Sequence, residues 1–592
     1  MYNTIEREGE HMYNRILVVV LSLVLLCGCA NRMAEDKDEL CHIVIEEGEG
    51  FTADSCVFSV ERGSSICVRL SEAEGYTVTG TDYGDYTLER TADGLILTLQ
   101  NIRYTKSVRV AVRKSDVVIT YVSDRESVEQ PVTAAHARLN TEMAIFSRNG
   151  YTLYAWNTRP DGSGESIGLG SRVDYRPGLR LYAQWAKWSD AALFSYEKGA
   201  ITGYHGDESR IVIPAEIGGE AVHTIASGAF ARCRADTVIF PQSIRTVEPG
   251  AFEGAQLRTL YLFDSIRSIS DYSFDGCTAM ETLHLNAATA PVYSGSYYAV
   301  FADKYDRLLN LRDRQKIILF SGSSARFGYD SALIDAAFSD YAVVNMGVFA
   351  YTNALPQMEL IRECMQAGDI LLLSPELDAA KRQFCTTNAL DAPFFNLMEA
   401  NYDMLSKLDL REYSLVFSSL GAYLSTRIGM EERSYALSPA DYDEDGNPSA
   451  TPSYNEYGDY ILYRPNSESE EPLYALEVPY TPEFYRKELY IDPFNAELSR
   501  FTDQGIRVYM TYSPRNRLAV SKDSSEQSIE ELDAYFRTNI EVPIISDLRD
   551  SLISGIYLSG TDNHLSTEGV RLRTERVIAE LREQMEKERE HE

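Results

Sequence analysis

Three segments recur at a fixed spacing of 22 residues, and no other feature limits the fold of this chain so tightly. Ile225–Phe230, Val247–Phe252 and Ile269–Phe274 each read Ile/Val-x-x-x-x-Phe. Each is followed by a small residue and a short apolar run: Asp236-Thr-Val-Ile-Phe240, Leu257-Arg-Thr-Leu-Tyr-Leu262 and Met280-Glu-Thr-Leu-His-Leu285. A period in that range marks a solenoid, in which every turn adds one parallel strand and stacks its phenylalanine on the next. About three turns are needed for stability, and few more than that are present. So short an array offers a small concave face at best, and a spacer or docking role competes evenly with ligand recognition.

The segments Gly228-Ala-Phe230, Gly250-Ala-Phe252 and Phe274-Asp-Gly-Cys277 resemble BspA-type leucine-rich repeats of bacterial surface proteins. They assign residues 189–292 to a leucine-rich-repeat solenoid. Upstream, residues 41–115 alternate apolar and polar residues, as in Leu95-Ile-Leu-Thr-Leu99, with Gly and Asp at the breaks, which predicts a small all-β module. Residues 116–188 contain Tyr151-Thr-Leu-Tyr-Ala-Trp156, a turn signal at Asp161-Gly162, and Leu179-Arg-Leu-Tyr-Ala-Gln-Trp185. This stretch resembles the Listeria-Bacteroides surface repeat, a β-grasp-like module. Tyr154, Trp156, Tyr182 and Trp185 could stack on a sugar, but in so small a module core packing is the stronger expectation.

The chain has 592 residues, more than one core can serve, and its net charge of −33 repels phosphate backbones and argues against nucleic-acid binding. Residues 1–29 read as a lipoprotein signal peptide. The apolar run Ile16–Leu26 is short for a spanning helix, and Leu26-Cys-Gly-Cys29 resembles a lipobox, so cleavage before Cys29 would leave a diacylated cysteine in the membrane. An uncleaved anchor helix is the alternative. Both readings predict an extracytoplasmic protein held at the bacterial cell envelope and exposed on its surface, with residues 30–40 as a tether. Cys41, Cys56 and Cys67 are close enough in sequence for one disulfide, while Cys233, Cys277, Cys364 and Cys385 suggest no framework. No metal or cofactor is expected. Asp441-Tyr-Asp-Glu-Asp-Gly446 imitates the start of a calcium loop, but Pro452 stands where a bidentate glutamate belongs.

Residues 293–592 carry the chemistry. Lys316–Phe320 is a buried-strand pattern that breaks into Ser321-Gly-Ser-Ser-Ala-Arg-Phe-Gly328, and helical spacing begins at Ser331. A strand thus delivers serine to a tight turn, at which Gly322 is expected to allow positive φ. Serine requires a base, and His564 is the one histidine between residues 300 and 590, two residues after Asp562. Strands near 341–345, 369–374, 506–511 and 542–546 alternate with helices, which implies a parallel sheet with chemistry at the strands' carboxyl ends. A long insertion, about 386–490, interrupts them.

Gly322-Ser-Ser324 with Gly328, Asn345-Met-Gly347, and Asp562-Asn-His564 resemble, in order, the blocks of the SGNH (GDSL-type) esterases and acyltransferases. The expected architecture is therefore multidomain: N-terminal all-β modules, a short solenoid, and a C-terminal α/β three-layer domain, flavodoxin-like and SGNH-like, with a parallel sheet. The resemblance implies acyl transfer, with Ser324 as nucleophile, His564 as base, Asp562 orienting it, and an oxyanion site made from the amides of Ser324 and Gly347 near Asn345. Ser323 competes with Ser324. The third block departs from the family pattern, since Gly368-Asp-Ile-Leu-Leu-Leu-Ser-Pro-Glu376 replaces the usual asparagine near Glu376. Asp562 also lies one residue nearer the histidine than usual, which leaves Glu376 or Asp550 as other orienting acids. Asn455 and Asp459, in Asn455-Glu-Tyr-Gly-Asp459, are candidates for shaping the substrate pocket. The implied partner is an acylated surface or dietary glycan or another ester. The alternative is a non-catalytic adhesin whose repeats bind a protein or glycan, with a degenerate hydrolase domain.

Overall fold

The computed structural model describes residues 40–591 with interruptions, the longest at 288–297 and 428–453. The signal sequence with Cys29, most of the tether, Cys385 and the Asp441–Gly446 turn lie outside the described residues. Two compact units divide at Lys114 and Ser115.

The first unit is all strand. Cys41–Ile45 pairs antiparallel with Val57–Val60 and parallel with Lys106–Val108, and Ile66–Glu72 pairs with Gly94–Leu99. Alternate residues Ile43, Ile45, Val68, Leu70, Leu97 and Leu99 face one core, as period-two patterning requires. No disulfide links the described cysteines.

In the second unit, Val118–Ser123 runs antiparallel to Glu126–Pro131 and parallel to Arg180–Lys187, which in turn pairs antiparallel with Tyr151–Asn157. Trp156 is fully buried, and its indole N–H donates to Glu142 O. Tyr154 turns to the solenoid and meets Tyr261 edge to face at 5.0 Å.

Solenoid strands at Thr224–Ile225, Thr246–Val247 and Ser268–Ile269 are parallel and in register, as are Arg210–Val212, Thr237–Ile239, Thr259–Phe263 and Thr282–Asn286. Phe230, Phe252 and Phe274 stack in a column at 4.8 Å intervals. The column continues beyond the repeats, because Phe417 stacks on Phe274 at 4.0 Å. Phe417 belongs to helix Val416–Arg427 of the insertion, and Gly421 in that helix lets it press against Ile269. The insertion therefore caps the open end of the array, the role a terminal repeat plays in longer solenoids.

Beyond the solenoid, helix α1 (Val300–Asn310) leads to four parallel strands: β1 (Lys316–Phe320), β2 (Ala342–Asn345), β3 (Ile370–Leu373) and β4 (Arg507–Met510). Their spatial order is β2-β1-β3-β4. Only the single bridge Met510–Ile544 extends the sheet toward the strand expected near 542–546. Every residue of β1, β2 and β3 is buried. Ile318, Phe320, Val344, Leu371 and Leu373 share a core with α1 and the helices α3 (Ala354–Arg362), α4 (Val416–Arg427), α5 (Asp492–Thr502) and α6 (Glu526–Asn539). Ile317, Leu319, Val343, Ile370 and Leu372 instead meet Ile334 of α2 (Ser331–Ala337) and Val577, Leu581 and Met585 of α7 (Thr567–His591). Successive residues pointing opposite ways explain the continuous apolar strands. The core on the α1 side runs on without a break into the insertion and the solenoid.

Truncating the middle of the aromatic column, Phe252→Ala, is expected to destabilise the chain by about 3–5 kcal/mol. Chemical denaturation would reveal this as a lowered midpoint, and an unchanged midpoint would mean that the stack contributes little.

Candidate active site

Strand β1 ends at Phe320, and a short helical turn, Ser323–Arg326, follows Gly322 directly. Gly322 has a φ of −78°, so the expected positive φ is not used here. Two other glycines matter through close approach. A Cβ at Gly347 would stand 2.5 Å from the amide nitrogen of Arg326, and one at Gly328 would collide with Ser324 O and the guanidinium of Arg573. That guanidinium donates to Ser324 O at 3.2 Å and to the Tyr329 hydroxyl at 3.0 Å, tying α7 to the serine turn.

Within the turn the two serines have different surroundings. The Oγ of Ser323 lies 2.8 Å from Nε2 of His564. Ser324 is fully buried, and its hydroxyl accepts from Asn563 Nδ2 at 3.1 Å. The imidazole thus meets Ser323 and not the preferred Ser324. Glu376 sits beneath both residues: its Oε1 accepts the amide of Ser324 at 2.7 Å and lies 3.5 Å from Ser323 Oγ, while its Oε2 is 3.5 Å from Asn563 Nδ2. Burial raises the carboxyl of Glu376 to about 7, with those hydrogen bonds opposing the shift.

His564 is half-buried in the loop Ser559–Leu565, where its amide donates to Thr561 Oγ1 at 2.9 Å. Its ring packs on Phe327 at 4.4 Å. The guanidinium of Arg464 lies 4.7 Å from that Phe327 ring, and the guanidinium of Arg326 lies 5.1 Å from it. Desolvation, helped by these two cations, lowers the histidine to about 3. The imidazole is therefore neutral at physiological pH and able to accept a proton.

Several expected roles go to other groups. The carboxylate of Asp562 accepts from the Leu473 amide at 2.9 Å and faces Asn516 Nδ2 at 3.4 Å, which fastens neighbouring loops. Asp550 lies 3.8 Å from Arg576. The amide of Gly347 donates to Asn345 Oδ1 at 3.0 Å, and the amide of Ser324 is engaged by Glu376, so neither expected oxyanion donor is available as it stands. Asn345 Nδ2 bonds Ala325 O and Asp459 Oδ1, both at 2.9 Å. Asp459 is buried and also accepts the amide and hydroxyl of Ser331, each at 2.7 Å, while Asn455 reaches it at 3.3 Å. Asn455 and Asp459 thus form an internal latch joining β2, the start of α2 and the insertion. Sequence reasoning passed over Asn563, though it stands inside the Asp562–His564 motif, and over Phe327, Arg326, Arg464 and Arg573, which carry no local signature.

Comparison with known proteins bears on the middle of the chain. The family described as "BspA type Leucine rich repeat region" matches residues 210–301 in six copies, so the chain contains leucine-rich repeats of that type. A 72-residue segment is 43% identical to a protein of Evansella cellulosilytica named "Putative membrane protein", covering 11% of this chain and 10% of that one. The chain therefore spans about a tenth of that relative's length. A crystal structure of a T. pallidum leucine-rich-repeat protein, TpLRR, is similar at 30% identity and a TM-score of 0.16, covering 16% of this chain and 49% of that chain.

The Glu376 carboxyl, held above its ordinary value of 4.5, keeps its proton on the acid side of about 7 and releases it as pH rises. A negative charge there would favour an imidazolium at His564 if Ser323 passed its proton to that ring. Labelling by a fluorophosphonate is thus expected to rise through a limb near pH 7, since His564 titrates near 3 and cannot supply it. In Glu376→Gln this limb should vanish, and its persistence would assign the titration elsewhere.

Proposed function

We propose that the C-terminal domain is an SGNH-type serine esterase or O-acyltransferase in which Ser323 is the nucleophile and His564 the base. The 2.8 Å contact between Ser323 Oγ and a neutral imidazole carries this reading. Ser323 Oγ attacks an ester carbonyl carbon and passes its proton to Nε2. The imidazolium then protonates the departing alkoxide, which leaves an acyl-Ser323 ester. A water or an acceptor hydroxyl attacks that ester, gives its proton to Nε2, and Ser323 recovers the proton as the acyl group departs. Among the described residues the amide of Ser323 has no hydrogen-bond partner, so it is the donor best suited to the developing oxyanion. Ionised Glu376 stabilises the imidazolium, a task Asp562 would have in the family pattern.

The substrate class we propose is an acylated glycan, which follows from the family resemblance together with a lipid-anchored, extracytoplasmic location through Cys29. The leucine-rich repeats are compatible with a surface-binding role as well. Val212 and Ile239 on their strand face are buried against Ala186, Tyr154 and Trp188 of the preceding module, so a partner would use another side of the array.

A fluorophosphonate probe tests the catalytic reading. Ser323→Ala and His564→Ala are each expected to reduce labelling by at least about a thousandfold, whereas Ser324→Ala retains it within roughly tenfold. Labelling that survives Ser323→Ala and disappears in Ser324→Ala would reverse the assignment. No labelling of the folded wild-type chain would leave the surface-binding reading in its place.

A further inference from the structure

We infer that a cavity lined in part by Arg573, which also holds the serine turn, is a second binding site, for a neutral, hydroxyl-bearing molecule about the size of one sugar ring. The cavity has a volume of about 300 Å³ and is lined by the first half of α7, the segment Ser546–Ser554 and Tyr557. That is the lower end of the range in which proteins hold small molecules. Neither Ser323 nor His564 lines it, but Arg573 belongs to both places, since its guanidinium also holds Ser324 O and the Tyr329 hydroxyl.

The chemistry of the lining selects the occupant. Arg549, Arg573 and Arg576 face Asp547, Asp550 and Glu580, so neither a strong anion nor a strong cation is favoured. Most of these groups are already engaged. Arg549 pairs with Glu530 at 2.9 Å, Arg576 donates to Asp550 O at 2.7 Å, and Asp547 accepts the amide of Arg549 at 2.8 Å. Glu580 differs, because its Oε2 is shut from solvent and has no hydrogen-bond partner among the described residues. Burial raises that carboxyl to about 7. A buried oxygen of this kind is costly until a donor reaches it, and a turn of the carboxyl toward the cavity would bring it to a ligand hydroxyl, which donates without adding charge. Leu552, Leu572 and Val577 give the same cavity an apolar wall, which suits the face of a ring.

Isothermal calorimetry and saturation-transfer NMR on the full chain, with methyl glycosides of glucose, galactose, mannose and N-acetylglucosamine, test the site. At least one is expected to bind wild type and Ser323→Ala equally. Filling the cavity with Leu572→Trp, or removing the acceptor with Glu580→Leu, should weaken binding at least tenfold while circular dichroism and an unchanged thermal midpoint show that the fold persists. Absence of binding by all four, or equal binding by wild type and Leu572→Trp, overturns the proposal. Binding lost in Ser323→Ala but kept in Leu572→Trp would also overturn it, by moving the ligand to the serine.

Discussion

The serine turn depends on backbone segments packed more closely than side chains allow. Gly347 lets the end of β2 lie against the amide of Arg326, and Gly328 leaves room for the Arg573 guanidinium over Ser324 O. Between them the four-residue turn is held from both sides, and Ser323 stays oriented although so short a helix has little stability of its own. The buried Asp459 latch completes the arrangement by tying β2 to the first turn of α2 through Asn345 and Ser331. A buried carboxylate is favourable only when its lone pairs are satisfied. Here four donor groups meet it, and burial still raises its pKa.

The solenoid is likewise held by its neighbours in the chain. A short array of repeats leaves an exposed end whose apolar residues need cover. Phe417 and Gly421 of the insertion provide it at one end, and at the strand face Tyr154 and Trp188 cover Val212 and Ile239. The array is thus enclosed by its neighbours in the chain, and its core is continuous with one face of the parallel sheet. This favours a structural role, in which the repeats fix the position of the preceding module against the catalytic candidate.

Much of this was legible in the sequence where the signal is periodic. The 22-residue spacing gave the strand register and the phenylalanine column, and the apolar run Lys316–Phe320 gave the buried strand ahead of the serines. Spacing alone could not choose between Ser323 and Ser324, because consecutive residues of a helical turn point about 100° apart, and the choice rests on where a residue some 240 positions later comes to lie. Asp562 misled for a related reason. Nearness in sequence to His564 suggested an orienting acid, whereas the loop between Ser559 and Leu565 turns its carboxylate to Leu473. Gly347 was marked for its amide, but the missing Cβ is what the packing uses. Arg573 had no signal at all, since its partners Ser324 and Tyr329 are distant in the chain.

Electrostatics at the site oppose the character of the whole molecule. The chain carries a net charge of −33, yet His564 is flanked by the guanidiniums of Arg464 and Arg326, and the buried Lys304 donates to Gly347 O close by. Burial, helped by the two guanidiniums, holds the imidazole neutral, which makes it a competent acceptor but a weak base. A base with so low a pKa benefits from help that arrives with the proton, and Glu376, poised to ionise near pH 7, stands on the other side of the Ser323 hydroxyl. In the SGNH enzymes that this domain resembles, a neutral asparagine in the third block would lack that charge. On the proposed reading, a titrating acid in place of that hydrogen-bond donor would favour stabilising the imidazolium over stabilising the oxyanion. This accounts physically for how a serine and a histidine could work here while Asp562 is occupied by the loops around it.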